Sequence, residues 1–426
     1  MSNVVKLVDN FKNCQQCSKE IHIQEIHIQD LKTHTIYIYP KKWYHSHFDK
    51  VKNSKDGFII KEENGEFATQ NYIGKFFHNG KIYDIGCRYG DEFLFEMLKN
   101  TTSILFSKIH LTNKKLSNSS GKISSSSYLL YILFIKCLKK AKLNGFPKIF
   151  CEELHKSFDI KGKICYKSYI KKDIIYKKSF TSRQKQHLSD KALASILLKA
   201  YEIISSEKNL NFEIDNTLLK FLKENAKDEK FNLYNIDKAI NSKSLRNSLY
   251  KDYKECVKLA RAIILNHFFL DCNSSKQNSL KNRSFGYIIY IPELFENYVE
   301  KILFKNLDKN HKLKAQEEND GNRVDFCIAD SKENIAVIDA KYRHFYKNGY
   351  LNQQDYNNIN QIEKYMKAYK TKIGVLFYAK SNMNVNYPKK YNDNKDEGNK
   401  IYLLSVLDTC NKVKTNFNNE LSFLKN

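Results

Sequence analysis

Apolar and polar positions change period along this chain, and the changes divide it into three parts. From about residue 20 to 110 short segments alternate, as in HTIYIYP, DGFIIKEENGEFA and NYIGKFFHNGKIYDIG. Alternation at period two predicts strands, and Asp56-Gly57, Asn64-Gly65 and Asn79-Gly80 predict hairpin turns between them. A polar, serine-rich run follows, Ser117 to Ser127. From Tyr128 the spacing becomes helical, in YLLYILFIKCLKKA, LSDKALASILLKAYEII and SLRNSLYKDYKECVKLARAIILNHFF, with a strand-like insert, IKGKICYKSYI, after the first. Near Phe285 the pattern changes again. Pro292 suits a first helical position, and Phe295, Tyr298, Val299, Ile302 and Leu303 form one stripe of the helix it opens. A strand near Lys312, a hairpin, a helix over about 354–369 and a strand over 373–378 complete the readable pattern. The expected architecture is multidomain α+β: a β-rich segment (1–116), a linker and mainly helical basic middle (117–284), and an α/β segment with a mixed sheet (285–426).

The candidate chemistry lies in that hairpin. Its first strand, RVDFCIAD, carries Asp325, and its second, IAVIDAK, ends in Asp339-Ala340-Lys341. Residues i and i+2 of a strand share a face, so Asp339 and Lys341 sit side by side. A turn near Lys332-Glu333 brings Asp325 opposite Asp339 to within about a residue. Ile335, Val337 and Ile338 make the second strand apolar on both faces, as a covered strand is. Most Asp/Lys pairs are surface salt bridges. A charged set at the end of a covered strand instead suits a hard cation and a phosphodiester. Two carboxylates and the Ala340 carbonyl supply oxygen ligands for Mg2+, Glu296 on the preceding helix adds a ligand directly or through water, and Lys341 orients water or stabilises charge. Gln361 and Tyr365 share a helix face at i, i+4 and suit positioning of substrate.

Charge narrows the partner. The chain has 72 Lys+Arg against 47 Asp+Glu, a net +25, which favours a polyanion. The excess concentrates between Lys114 and Lys185, about 18 cations against about 4 acids. Tyr166, Tyr169, Tyr176 and Phe180 interleave with them, and Lys171, Lys172, Lys177 and Lys178 are candidates for the DNA backbone. Lys, Asn, Ile and Tyr are abundant throughout, so part of this bias is compositional. The opening MSNVVKLVDNFKN lacks an apolar leader and no stretch has the length of a membrane span, so a reduced, cytoplasmic protein is expected. Cys14, Cys17, His22 and His27 have the spacing of a zinc knuckle. They lack the usual turn glycine, and both histidines fall in a duplicated IHIQ, so zinc stays an open question.

Asp325, then Asp339-x-Lys341, with Glu296 upstream, resembles the PD-(D/E)xK nuclease core, and Gln361-x3-Tyr365 resembles the QxxxY element of its RecB-like branch. More narrowly, LFENYVEKIL, RVDFCIAD, VIDAKYR and QIEKY are similar to the McrC family, the nuclease subunits of McrBC-type restriction systems. NYIGKFFHNGKIYDIGCRYGDEFLFEML and FDIKGKICYKSYI extend that resemblance upstream, more diffusely. Val324 departs from the proline usual in the family, which shapes backbone and is not a ligand. The resemblance implies a Mg2+-dependent endonuclease for double-stranded DNA in antiviral defence. It also implies a separate AAA+ McrB-like GTPase hexamer that the amino-terminal segment docks onto and stimulates. No G-x-x-x-x-G-K-[ST] sequence is present, in keeping with a separate motor. Three other roles fit the same residues: a stand-alone repair or CRISPR-associated nuclease, a non-catalytic DNA-binding adapter of the motor, and an RNA nuclease.

Overall fold

The short alternating segments near the amino terminus pair as strands: Ile26–His27, Phe58–Glu63 and Glu66–Thr69 make a small sheet of their own, whereas the others belong to a sheet that a distant segment completes. In the computed structural model, residues 4–9, 26–27, 35–38, 58–63, 66–78, 81–101, 125–173, 180–206, 215–227, 231–232, 234–271, 285–308, 310–319, 321–331, 333–345, 351–381, 389–391, 399–407, 414 and 421 are described. The chain falls into two compact units. One comprises Met1–Ser107, Ser124–Ser126 and Ser275–Asn426, the other Lys108–Ile123 and Ser127–Ser274.

Along the chain the first strands are β1 (Val4–Val8), β2 (Ile26–His27), β3 (Thr35–Ile38), β4 (Phe58–Glu63), β5 (Glu66–Thr69), β6 (Tyr72–His78) and β7 (Lys81–Gly86), followed by helix α1 (Asp91–Thr101). The pairs β4–β5 and β6–β7 are the hairpins expected around Asn64-Gly65 and Asn79-Gly80. Asp56-Gly57 lies outside the described residues.

The second unit holds α2 (Ser125–Lys142) from Ser127 on, β8 (Lys148–Ser157), β9 (Lys163–Ile164), β10 (Phe180–Ser189), α3 (Lys191–Ser206), α4 (Asn216–Ala226), α5 (Tyr234–Ile240) and α6 (Lys251–Asp271). The three long helical segments are where the periodicity puts them. The ten-residue antiparallel pair of β8 and β10 is an addition to the expected helical middle. KIFCEELHKS and FTSRQKQHLS carry polar residues on both faces, so no alternation announced them. The KGK insert contributes only β9, which adds to β10, followed by helical turns over Tyr166–Ser168 and Tyr169–Asp173.

The chain then returns to the first unit with β11 (Phe285–Tyr290), α7 (Ile291–Asn306), β12 (Lys312–Ala315), the short pair β13 (Glu318–Asn319) and β14 (Asn322–Arg323), β15 (Phe326–Ala329), β16 (Asn334–Phe345), α8 (Gln353–Tyr369), β17 (Ile373–Ser381), β18 (Lys389–Tyr391) and β19 (Lys400–Leu407). Here the structure corrects the expected division. β11 does not open a separate carboxy-terminal domain. It lies between β6 and β3 in a five-stranded sheet of order β1-β7-β6-β11-β3. Gly74 and Gly286 mark the seam, both at φ +145, and a Cβ at either would meet the facing backbone at 2.2–2.4 Å. The segments 1–116 and 285–426 therefore share a hydrogen-bonded sheet. Phe93 of α1 also lies 6.3 Å from the rings of both Phe295 and Tyr298 on α7.

The second sheet of this unit is mixed, as expected, with order β12-β15-β16-β17-β19-β18. β15 and β16 are antiparallel, whereas β16, β17 and β19 run parallel. α8 covers it with Ile359, Ile362, Tyr365, Met366 and Tyr369 over Val337, Leu376 and Leu403. Gly374 permits that approach: a Cβ there would meet Met366 Sδ at 2.7 Å and Ile362 Cγ1 at 2.9 Å. Among the described residues no helix is long and apolar enough to cross a membrane.

Candidate active site

The hairpin forms as its sequence predicts. Phe326 pairs with Ile338, which leaves Asp325 next in register to Asp339. The turn closes through Asp330 and Glu333, with the Asp330 N–H donating to the Glu333 carbonyl at 3.0 Å. Lys332 lies outside the described residues. Asp325 Oδ2 accepts the Ala340 N–H at 2.8 Å, which locks the carboxylate to the opposite strand. Asp339 is buried, 3% exposed. Its Oδ2 lies 2.8 Å from Lys341 Nζ. The contact is an ion pair, and the oxygen keeps a lone pair unused.

The electrostatics are those of carboxylates short of positive charge. Burial, then the charges of Asp339 and Glu296, push the Asp325 carboxyl well above the usual range. The Ala340 N–H and Lys341 offset this only in part. Burial alone would lower Lys341, but Asp339 and Asp325 outweigh it, so its pKa is raised and the ammonium is retained. A hard cation fits this donor set, because it would relieve the carboxylate repulsion and use the remaining lone pairs of the Asp339 carboxylate. Glu296 is half-buried and receives Gln316 Nε2 at 3.4 Å. Its charge reaches Asp325. Even so, no three His, Cys, Asp or Glu side chains among the described residues are gathered into a metal cage. Mg2+ commonly needs only one or two protein carboxylates beside water and phosphate.

α8 delivers the other expected pair. Gln361 Nε2 donates to the Tyr365 hydroxyl at 2.6 Å, which leaves the phenol's own proton to donate elsewhere. Burial and then Asp339 raise the Tyr365 pKa, so that proton is retained and the ring lies within the field of the site. The start of α8 is fixed by a capping box between Asn352 and Asp355. The fully buried Asp355 also pairs with Arg343 of β16.

Of the basic candidates, Lys171 is exposed. Lys172 ends within the Tyr169–Asp173 turn, and Lys177 and Lys178 lie outside the described residues. Cys14, Cys17 and His22 also lie outside them, and His27 ends β2.

Sequence reasoning passed over Glu293, one turn before Glu296. Its side chain is 2% exposed, and Oε2 has no hydrogen-bond partner. Burial, then the charge of Glu296, push its pKa up to about 8. The folded protein thus holds a proton that the unfolded chain releases near 4.5, and stability falls as pH rises through that window. Glu293→Gln removes this pH dependence. Denaturant midpoints of the two proteins should agree near pH 4.5 and diverge, in favour of the variant, to on the order of 4 kcal/mol above pH 8. A difference that does not change with pH would refute the buried proton. The signal for Glu293 was its helical spacing of three residues from Glu296.

Residues 27–379 match a family model described as McrBC 5-methylcytosine restriction system component. No curated protein matches the chain. Among solved structures, a chain of the refined half-complex from a tetradecameric assembly of Thermococcus gammatolerans McrB AAA+ hexamers with bound McrC is similar, with a TM-score of 0.53 and 14% identity. That alignment covers 99% of this chain and 98% of the other. A chain of the T. gammatolerans McrBC complex matches at 14% identity and a TM-score of 0.34, over 72% of this chain and 88% of that one. At 14% identity the first of these likenesses speaks to the fold alone.

Proposed function

The chain belongs to the family of McrBC 5-methylcytosine restriction system components, and from that premise we propose that it is the DNA-cleaving subunit of such a system. In this reading it is a Mg2+-dependent endonuclease of the PD-(D/E)xK type, acting in the cytoplasm with a separate AAA+ GTPase hexamer that it stimulates. The observation that carries the reading is the convergence of Asp325, Asp339 and the protonated Lys341 at the end of a covered strand.

Asp325, Asp339 and the Ala340 carbonyl would hold the ion, and Glu296 is assigned no direct bond. Bound there, Mg2+ supplies a lowered water pKa and neutralises phosphate charge. Lys341 keeps its proton, so it donates to a phosphate oxygen or orients the attacking water rather than acting as the base. Tyr365, with its oxygen occupied by Gln361, donates to the DNA backbone. The decisive assay is cleavage of double-stranded DNA by the full chain with its partner NTPase. It should require Mg2+ and stop on chelation. Undiminished cutting in excess chelator would overturn the metal reading.

The basic middle is assigned to the phosphate backbone. The full chain should bind DNA without sequence preference and with a steep salt dependence. Reversing charge at Lys171, Lys172, Lys177 and Lys178 should reduce the log–log slope by roughly 3. An unchanged slope would make the lysine excess compositional.

In the T. gammatolerans assembly McrC is bound to McrB AAA+ hexamers, and a motor of that class is the partner proposed here. The docking role expected of residues 1–116 moves to the other unit, for two reasons. The β-rich segment is built into the unit that bears the carboxylates, through β11. Among the described residues, exposed large apolar side chains concentrate instead on and after β8: Phe150, Leu154, Phe158, Ile160, Tyr166 and Ile170. Such a patch marks an interaction surface.

A further inference from the structure

Immediately beyond Lys341, β16 falls out of step with β17. Lys341 pairs with Tyr378 but His344 with Lys380, so β16 advances three residues where its neighbour advances two. Tyr342 and Arg343 take up the extra residue. A bulge of this kind interrupts the ladder and re-aims nearby side chains, here those of the Asp339–Lys341 segment.

Both bulge residues are held from outside the sheet. Arg343 pairs with the buried Asp355 at the start of α8, the helix that carries Gln361 and Tyr365. Tyr342 is held from the turn after β7. Arg88 Nη2 donates to the Tyr342 carbonyl. The same guanidinium lies 4.5 Å from the centre of the Tyr342 ring and 5.1 Å from that of Tyr89. Cys87 Sγ and the Tyr342 hydroxyl are 3.2 Å apart, and both residues are buried. Asp9, past the end of β1 and fully buried, fixes Arg88 in turn. Its Oδ1 accepts the Arg88 N–H at 2.6 Å, and its Oδ2 lies 3.8 Å from Arg88 Nε. A buried carboxylate and guanidinium are costly to keep, and an apolar pair of the same volume would pack at least as well. Their directed contact with a bulge carbonyl gives that cost a function which packing alone does not.

We propose that Asp9, Cys87 and Arg88 form a bracket that fixes the Tyr342–Arg343 bulge and thereby aims Lys341 at the scissile phosphate. They are positioning residues, and the inference rests on the nuclease reading above. It makes the amino-terminal strands part of the cutting machinery, which accounts for their sharing a unit with it.

The test uses the full chain with its partner NTPase and double-stranded DNA. Arg88→Ala should lower kcat for cleavage about 100-fold, as misplacement of a reacting group by about 1 Å does. KM for DNA and stimulation of the motor should not change. Millimolar guanidinium should restore much of the lost rate by filling the vacated site. Arg88→Lys keeps the charge and loses the planar fork, so it should fall between the two with a melting temperature near that of the wild type. Wild-type kcat in both variants overturns the bracket. A loss in which cleavage, motor stimulation and melting temperature fall together in both, with no rescue by guanidinium, also overturns it, because that is a folding defect. Lys341→Ala is run alongside. If it cuts normally, the nuclease reading fails whatever Arg88 does. If it is inert while the Arg88 variants cut normally, the bracket alone fails.

Discussion

Asp339→Ala and Lys341→Ala should each abolish the proposed Mg2+-dependent cleavage, with a loss of about 10³-fold or more, roughly 4 kcal/mol of transition-state stabilisation. Asp339→Ala removes one of the two carboxylates that would hold the ion, whereas Lys341→Ala removes the ammonium held against them. The fold needs a separate check, because removing Lys341 strands a buried carboxylate, and breaking a buried pair costs about 3–5 kcal/mol. Asp339→Asn supplies it. That variant keeps shape and volume, relieves the repulsion that raises Asp325, and still removes the ligand charge. It leaves Lys341 the Asp325 charge as a partner, so its denaturation midpoint should fall less than that of Lys341→Ala while cleavage is lost. Normal cutting by Asp339→Asn and Lys341→Ala, both folded and both with the partner present, would end the assignment of this site.

The second large effect concerns the motor. Leu154→Asp with Phe158→Asp should cut stimulation of the partner NTPase at least about 10-fold, the scale of a lost interface anchor. Both side chains are exposed, 63% and 74%, so the change should cost little folding stability. Leu154 shares its side of β8 with Phe150, which already lies 4.9 Å from the His187 ring on β10. An apolar strip of this kind gains from being covered. The readout is a hydrolysis titration of the NTPase with full-length wild type and variant. Unaltered stimulation would return the docking role to residues 1–116. A fragment ending near residue 112 cannot serve as the test, because it lacks β11 and leaves β6 and β3 without the strand between them.

Local signals located most of the candidate site. The covered character of Ile335–Ile338, the i, i+2 spacing of Asp339 and Lys341, and a short turn were enough to place Asp325 against Asp339. Each depends on neighbours within about 16 residues, and strand geometry leaves them one arrangement. Gln361 and Tyr365 were legible for the same reason, as an i, i+4 pair on a helix. The stripe Phe295, Tyr298, Val299, Ile302 and Leu303 is buried as its spacing predicts.

By itself, then, the sequence determined the hairpin and its charges, the helices, the basic excess and the resemblance that led to the family. Tertiary structure alone decided what those elements share. Nothing local in FGYIIY says that it will fill a gap between strands some 200 residues upstream; long-range pairing and the paired glycines Gly74 and Gly286 decide that. β8 and β10 were unreadable because polar residues fall on both faces of each strand and leave no clean period-two signal. Asp9 and Arg88 are unremarkable in sequence, separated by 79 residues. Their burial together, against a carbonyl 254 residues beyond Arg88, exists only once the sheets are in place. Side-chain period reports the face a residue occupies, whereas the partner on that face is chosen by packing between elements far apart in the chain.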